Sequence, residues 1–111
     1  MLINKRTKGD LIVLDVAEKR VDAAIAPDLK EYIAELAKQG ATKVLLDLAA
    51  VEFMDSSGLG AVVAGLKSMG GRGELAVCNV HGAVADLFKL TRMDRVFTKY
   101  ATVDEAMAAI G

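Results

Sequence analysis

An α/β fold, with a mixed, mostly parallel sheet of about five strands, an N-terminal antiparallel hairpin and about four helices, is what this sequence predicts. Three observations carry that prediction. Short apolar runs rich in branched residues alternate with segments of helical spacing, and such alternation implies parallel neighbours, because parallel strands need crossover connections. The first two apolar runs have no helix between them, only Lys8-Gly9-Asp10, where the glycine permits the tight reversal of an antiparallel pair. With 111 residues, 53% of them hydrophobic, the chain can bury one core without disulfides or metals, so residues 1–111 are read as a single domain.

The elements follow in order. Residues 2–7 and 11–16 form the opening hairpin. After a polar patch at 18–22, Ile25, Leu29, Ile33, Leu36 and Ala37 recur at helical spacing, with Pro27 suited to a first turn and Gly40 to a stop. Residues 43–49, "KVLLDLA", resemble a strand covered on both faces and belong at the sheet centre. Leu59, Val62, Val63, Leu66 and Met69 return to helical spacing until Gly70-Gly71, so a second helix is expected to begin just after Ser56 and Ser57. "ELAVCNV" at 74–80 is another strand, Val84, Leu87, Phe88 and Thr91 mark a third helix, and a brief strand follows at 96–99. Thr102 and Glu105 have the spacing of a capping box ahead of a last helix with Val103, Ala106, Met107 and Ile110 on one face.

Composition narrows the function. Fourteen basic and 15 acidic residues give a net charge of -1, which supplies no overall field for phosphate backbones or anionic lipid, so direct nucleic-acid binding is not expected. No apolar run approaches the ~18 residues of a membrane span, and the start "MLINKRTKGD" has no apolar signal core. No membrane insertion and a cytoplasmic location are therefore expected. The single Cys78 reads as a small buried hydrophobe, and one Cys with one His makes no metal site. No cofactor is expected.

The residues that invite chemistry are Asp55-Ser56-Ser57-Gly58, between a strand-like run and a helix. A nucleophilic serine needs a base in reach, and the only imidazole is His81, at another strand-to-helix junction where histidine is usually a loop or cap residue. An elbow of Gly-x-Ser-x-Gly would need glycine at 54 or 55, where Met54 and Asp55 stand. Gly58-Leu59-Gly60 opens like a dinucleotide fingerprint, but position 63 is Val63 and no Gly-Lys-Ser/Thr occurs. No catalytic residue is expected. Asp55 or Ser56 can cap the helix, worth about 1 kcal/mol, and Gly58, Gly60 and Gly65 allow close packing. Hydroxyls at the carboxyl end of a strand in an open sheet also face ligands or partners. On the residues alone, cap and contact stand side by side.

The segment "VLLDLAAVEFMDSSGLGAVV", residues 44–63, resembles the signature of the STAS family and, within it, of the bacterial anti-sigma factor antagonists, which carry Phe-Met-Asp-Ser-Ser-Gly-Leu-Gly. Leu75, Val77, Asn79, Val84, Leu87, Phe88, Leu90, Thr91, Met93, Val96 and Phe97 fit the same layout. One departure is plain: the family usually has Gly-x-Leu-Asp after the second strand, and this chain has Glu18-Lys19-Arg20-Val21-Asp22, keeping the aspartate and lacking the glycine.

The resemblance implies the STAS fold and a switch protein without catalysis of its own. Such a protein binds an anti-sigma factor with serine kinase activity while unphosphorylated, and so releases a sigma factor. It implies Ser56, the serine after the aspartate, as the phosphorylation site, and a serine phosphatase that restores it. The partner-binding surface it implies comprises Asp22, Met54, Asp55, Ser56, Ser57 and Gly58, and a weak homodimer is compatible with it. The same resemblance admits an alternative, a STAS accessory subunit of a lipid-transport ATPase complex that is not controlled by phosphorylation.

Overall fold

The computed structural model describes residues 1–71 and 73–110. The chain opens with β1 (Ile3–Lys8) and β2 (Leu11–Val16), paired antiparallel from Ile3 opposite Val16 to Lys8 opposite Leu11. Their turn holds Gly9 at φ +60, a conformation that a residue without Cβ adopts freely. Then come β3 (Arg20–Val21), α1 (Ala26–Lys38), β4 (Lys43–Asp47), β5 (Phe53–Met54), α2 (Ser56–Met69), β6 (Glu74–Cys78) and α3 (Gly82–Leu90). A 3-10 turn at Met93–Arg95, β7 (Thr98–Tyr100) and α4 (Val103–Ile110) complete the order.

The main sheet runs β1-β2-β4-β6-β7, and every pair after the hairpin is parallel. β4 is the central strand, and its continuous apolar run has a physical cause. Val44 and Leu46 face a core shared with Leu29 and Ile33 of α1, Val62 of α2 and Phe88 of α3. Leu45 faces the opposite side, with Val13, Ala76, Cys78 and Ala106 of α4. Alternate residues of a strand point to opposite faces, so a strand buried on both sides shows no alternation.

The helices seat closely where small residues permit. A Cβ on Gly65 of α2 would lie 2.8 Å from Cδ1 of Ile33, so the missing side chain is the space that the α1 isoleucine fills. Phe88 and Phe97 close the far end with ring centres 5.9 Å apart. The expected cap of α4 is present, with the Glu105 N–H donating to Thr102 Oγ1 at 3.1 Å. No helix among the described residues is long and apolar enough to cross a membrane.

One feature has no counterpart in the sequence reading. β3 and β5, two residues each, pair in parallel as a separate ribbon, Arg20 opposite Phe53 and Val21 opposite Met54. Two residues are too few to show a period of two. This ribbon nevertheless positions the site.

Candidate functional site

The ribbon draws two distant loops together. The Lys19 carbonyl accepts the N–H groups of Glu52 and Phe53, at 2.8 and 3.1 Å, and the Val21 carbonyl accepts the N–H of Asp55 at 3.4 Å. Residues 19–22 therefore lie along residues 52–55, and Asp22 shares a surface with the serine junction. The absent family glycine leaves no strain here. The non-glycine residues at positive φ among the described ones are Asn79 and Arg92, so Lys19 occupies ordinary backbone space.

Each strand of the ribbon has one side in and one side out. Val21 and Met54 are 0% and 4% exposed and join the main core. Arg20 and Phe53 face outward, with the guanidinium carbon 4.4 Å from the centre of the Phe53 ring. This corrects the expectation for Met54: alternation along the strand turns its side chain into the core and presents Phe53 in its place.

Helix α2 begins at Ser56, two residues earlier than expected. Asp55 is extended, at φ -98 and ψ -175. Its Oδ1 accepts the Gly58 N–H at 2.9 Å and its carbonyl accepts the Leu59 N–H at 3.0 Å. Of the two residues able to cap, Asp55 does so, which makes Ser56 and Ser57 the first helical residues rather than part of the approach. Both serines are exposed. Gly58 is buried, and a Cβ there would collide with the Val21 carbonyl and lie 2.8 Å from Met54 Cγ. Its N–H is engaged by Asp55, so Gly58 seats the helix on the ribbon and offers a partner neither side chain nor donor.

Asp22 works mainly on its own loop. Its Oδ1 accepts the Ala24 N–H at 3.1 Å, its carbonyl accepts the N–H groups of Ile25 and Ala26 at 3.0 and 2.8 Å, and its Oδ2 stands 3.9 Å from Arg20 Nε. Beyond this loop, a shallow groove of about 370 Å³ runs between α1 and α2, with Ser57, Gly60 and Ala64 on one wall and Ala23, Ala26 and Lys30 on the other. Small side chains on both helices leave it open.

A polar network steadies the loop that leads into β5. Asp47, 9% exposed, accepts from Asn79 Nδ2 at 2.9 Å and from the Ala49 N–H at 3.1 Å. His81 Nε2 lies 2.9 Å from the Ala49 carbonyl. The single imidazole thus holds a loop carbonyl. Cys78, buried at the end of β6, has its pKa pushed up to about 12 by burial first and by the Asp47 carboxylate second, against a smaller pull from Arg6. It is a thiol at neutral pH and a poor nucleophile.

Of the residues expected at the site, Asp22, Asp55, Ser56 and Ser57 lie together on one accessible surface. Arg20, Phe53 and Lys30 share that surface and were not anticipated. Phe53 becomes visible as the outward residue only once Phe53–Met54 is known to be a strand that turns Met54 inward. Arg20 becomes visible only through the ribbon pairing.

Known proteins match this arrangement. The STAS domain family matches the chain over residues 3–106. A candidate anti-sigma factor antagonist of Thermotoga maritima is 31% identical over 103 residues, which cover 91% of each chain. An anti-sigma factor antagonist from Mycobacterium paratuberculosis has a crystal structure that superposes with a TM-score of 0.89 at 27% identity, covering 98% of this chain and 92% of that one. The Bacillus cell fate determinant SpoIIAA in its phosphorylated form, at 19% identity, shares the fold with a TM-score of 0.76 over 99% of this chain and 100% of that one. With its sheet order, its antiparallel hairpin and nearly its whole length accounted for in this way, the chain belongs to the STAS domain family, among relatives described as anti-sigma factor antagonists.

Proposed function

We propose that this protein is an anti-sigma factor antagonist. Unphosphorylated, it binds an anti-sigma factor with serine kinase activity through the surface around Ser56 and so frees a sigma factor in the cytoplasm. Phosphate on Ser56 ends the binding, and a serine phosphatase restores it. The observation that carries this reading is the placement of the Ser56 hydroxyl: exposed, first in α2, and excluded from the cap by Asp55. The descriptions of the relatives from Thermotoga and Mycobacterium support the general role.

The chemistry asked of this chain is small. Ser56 Oγ attacks the γ-phosphorus of ATP held by the kinase. The new P–O bond forms as the bond to the leaving ADP breaks, and the hydroxyl proton passes to a base of the kinase. His81 is occupied by the Ala49 carbonyl, which accords with a protein that receives a phosphoryl group and performs no turnover.

Phosphate adds about -1.5 to -2 charges at neutral pH. At the start of α2 the helix dipole and the free N–H groups of the first turn favour an anion. Because Ser56 is exposed, no core residue is displaced. The interface changes instead: a like-charge contact costs several kcal/mol, against about 8 kcal/mol for micromolar binding. One phosphate is enough to separate the pair at working concentrations. The reading is tested by incubating the protein with the cognate anti-sigma factor and ATP and mapping the product by mass spectrometry. Phosphate on Ser56, absent from Ser56→Ala, is the expected result, and phosphate elsewhere or nowhere would overturn it.

A further inference from the structure

We propose, on the reading of Ser56 as a phosphoacceptor, that Arg20 is the receptor of that phosphate within the same chain. When Ser56 is modified, the Arg20 guanidinium leaves the Phe53 ring and Asp22 and pairs with the phosphoryl oxygens.

Arg20 is placed near the site but not clamped there. Among the described residues it meets the Phe53 ring, at 4.4 Å from the guanidinium carbon to the ring centre, and Asp22 Oδ2, 3.9 Å from Nε. Its side chain is 63% exposed. Cation–ring contacts and ion pairs of this kind are weak in water. A phosphate dianion is a stronger partner, because the planar fork of guanidinium donors matches its oxygens two at a time.

The ribbon supplies the reach. Arg20 lies opposite Phe53, and Ser56 follows three residues later. With strands about 4.8 Å apart and a rise of about 3.3 Å per residue, the two backbones are roughly 11 Å apart. An arginine and a phosphoseryl side chain together span that gap. The Val21 carbonyl, next to Arg20, already bonds the Asp55 N–H and abuts Gly58, so β3 extends to the first turn of α2. The Gly58 N–H is taken by Asp55, which leaves the helix one donor poorer and gives a side-chain cation more to do.

The off state then differs from the on state at three points. Ser56 carries charge, the outer face of Phe53 loses its covering cation, and Asp22 loses its nearest one. Each of these residues lies on the surface proposed to meet the partner.

The test installs phosphoserine at position 56 during translation by genetic code expansion, so that no kinase is involved, and follows the phosphate by ³¹P NMR from pH 4 to pH 8. The forms compared are otherwise wild-type protein, Arg20→Gln, Arg20→Lys and Lys30→Gln. An ordinary phosphoserine has its second pKa near about 6, and a cation in contact lowers it. The expected value is at least about half a unit lower with Arg20 than in Arg20→Gln. Arg20→Lys should fall between them, and Lys30→Gln should match the wild type. Lys19, Asp22, Glu52, Asp55 and Asp86, on the elements around the junction, are unchanged in every form. So is His81. Identical titrations with and without Arg20 would overturn the proposal, as would a shift lost in Lys30→Gln and kept in Arg20→Gln, which would make the lysine the receptor. Because translation places the phosphate, a negative result here leaves the kinase reading standing, and the absence of any kinase leaves this measurement valid.

Discussion

The Asp55 carboxylate accepts the backbone N–H of Gly58 at 2.9 Å, and this one bond decides where the serines stand. It starts α2 at Ser56, leaves both hydroxyls outside the cap, and takes from Gly58 the donor it could have offered a partner.

Replacing Asp55 by Ala should therefore lower stability by about 1 kcal/mol, the usual cost of a lost helix cap. Asn at this position keeps an accepting oxygen and should recover most of the loss. Urea unfolding midpoints at constant m-value report both effects.

Gly58 and Gly60 make a matched pair. A Cβ at Gly58 collides with the Val21 carbonyl, whereas one at Gly60 meets nothing within 4 Å. Gly58→Ala must push β3 off the helix and should cost about 1 to 3 kcal/mol, the range for overpacking. Gly60→Ala should leave stability unchanged or raise it by up to about 1 kcal/mol, through helix propensity. Thermal unfolding of the two variants side by side checks the contrast.

Phe53 and Met54 are adjacent and should behave oppositely. Met54→Ala opens a cavity in the core and should cost about 2 to 5 kcal/mol. Phe53→Ala, on the outer face, should change stability by about 1 kcal/mol or less yet weaken binding to the anti-sigma factor at least about tenfold, as the loss of an aromatic anchor does. Denaturation and calorimetric titration on the same samples separate the two.

Cys78 gives a prediction in pH. Its pKa is raised from 9.0 to about 12 in the folded protein. The folded state therefore holds a proton that the unfolded chain releases as pH rises through 9. The unfolded state binds fewer protons in this window, so stability falls with rising pH from about 9 towards 12, and the contribution is fully present below 9. Cys78→Ala should flatten that part of the stability curve. The native thiol should also resist alkylation at pH 8 until the protein is unfolded.

The fold was legible wherever a physical pattern ran long enough to repeat. The hairpin was announced by two apolar runs around Gly9, the central strand by the unbroken run from Val44 to Leu46, and α1 by the spacing of Leu29, Ile33 and Leu36. The ribbon was not, because β3 and β5 are held by backbone N–H bonds to the Lys19 and Val21 carbonyls, which residues of almost any type could make. For the same reason the inward turn of Met54 and the pairing of Arg20 with Phe53 were hidden: both follow from strand pairing between residues more than thirty positions apart. The start of α2 was misplaced by the two serines because three neighbouring residues can each begin a helix, and only the geometry at Asp55 selects one. The proposal for Ser56 rests on the motif around it, and the exposure of its side chain follows from the cap at Asp55.

The most direct measurement is the dissociation constant of the cognate anti-sigma factor for the protein carrying phosphoserine at position 56, beside that for the unmodified protein, by isothermal titration calorimetry. Binding at about micromolar or tighter for the unmodified form, and at least about a hundredfold weaker for the phosphorylated one, is the predicted result. Equal affinity for the two forms would contradict the account, because a charge at the mouth of α2 would then leave the partner indifferent.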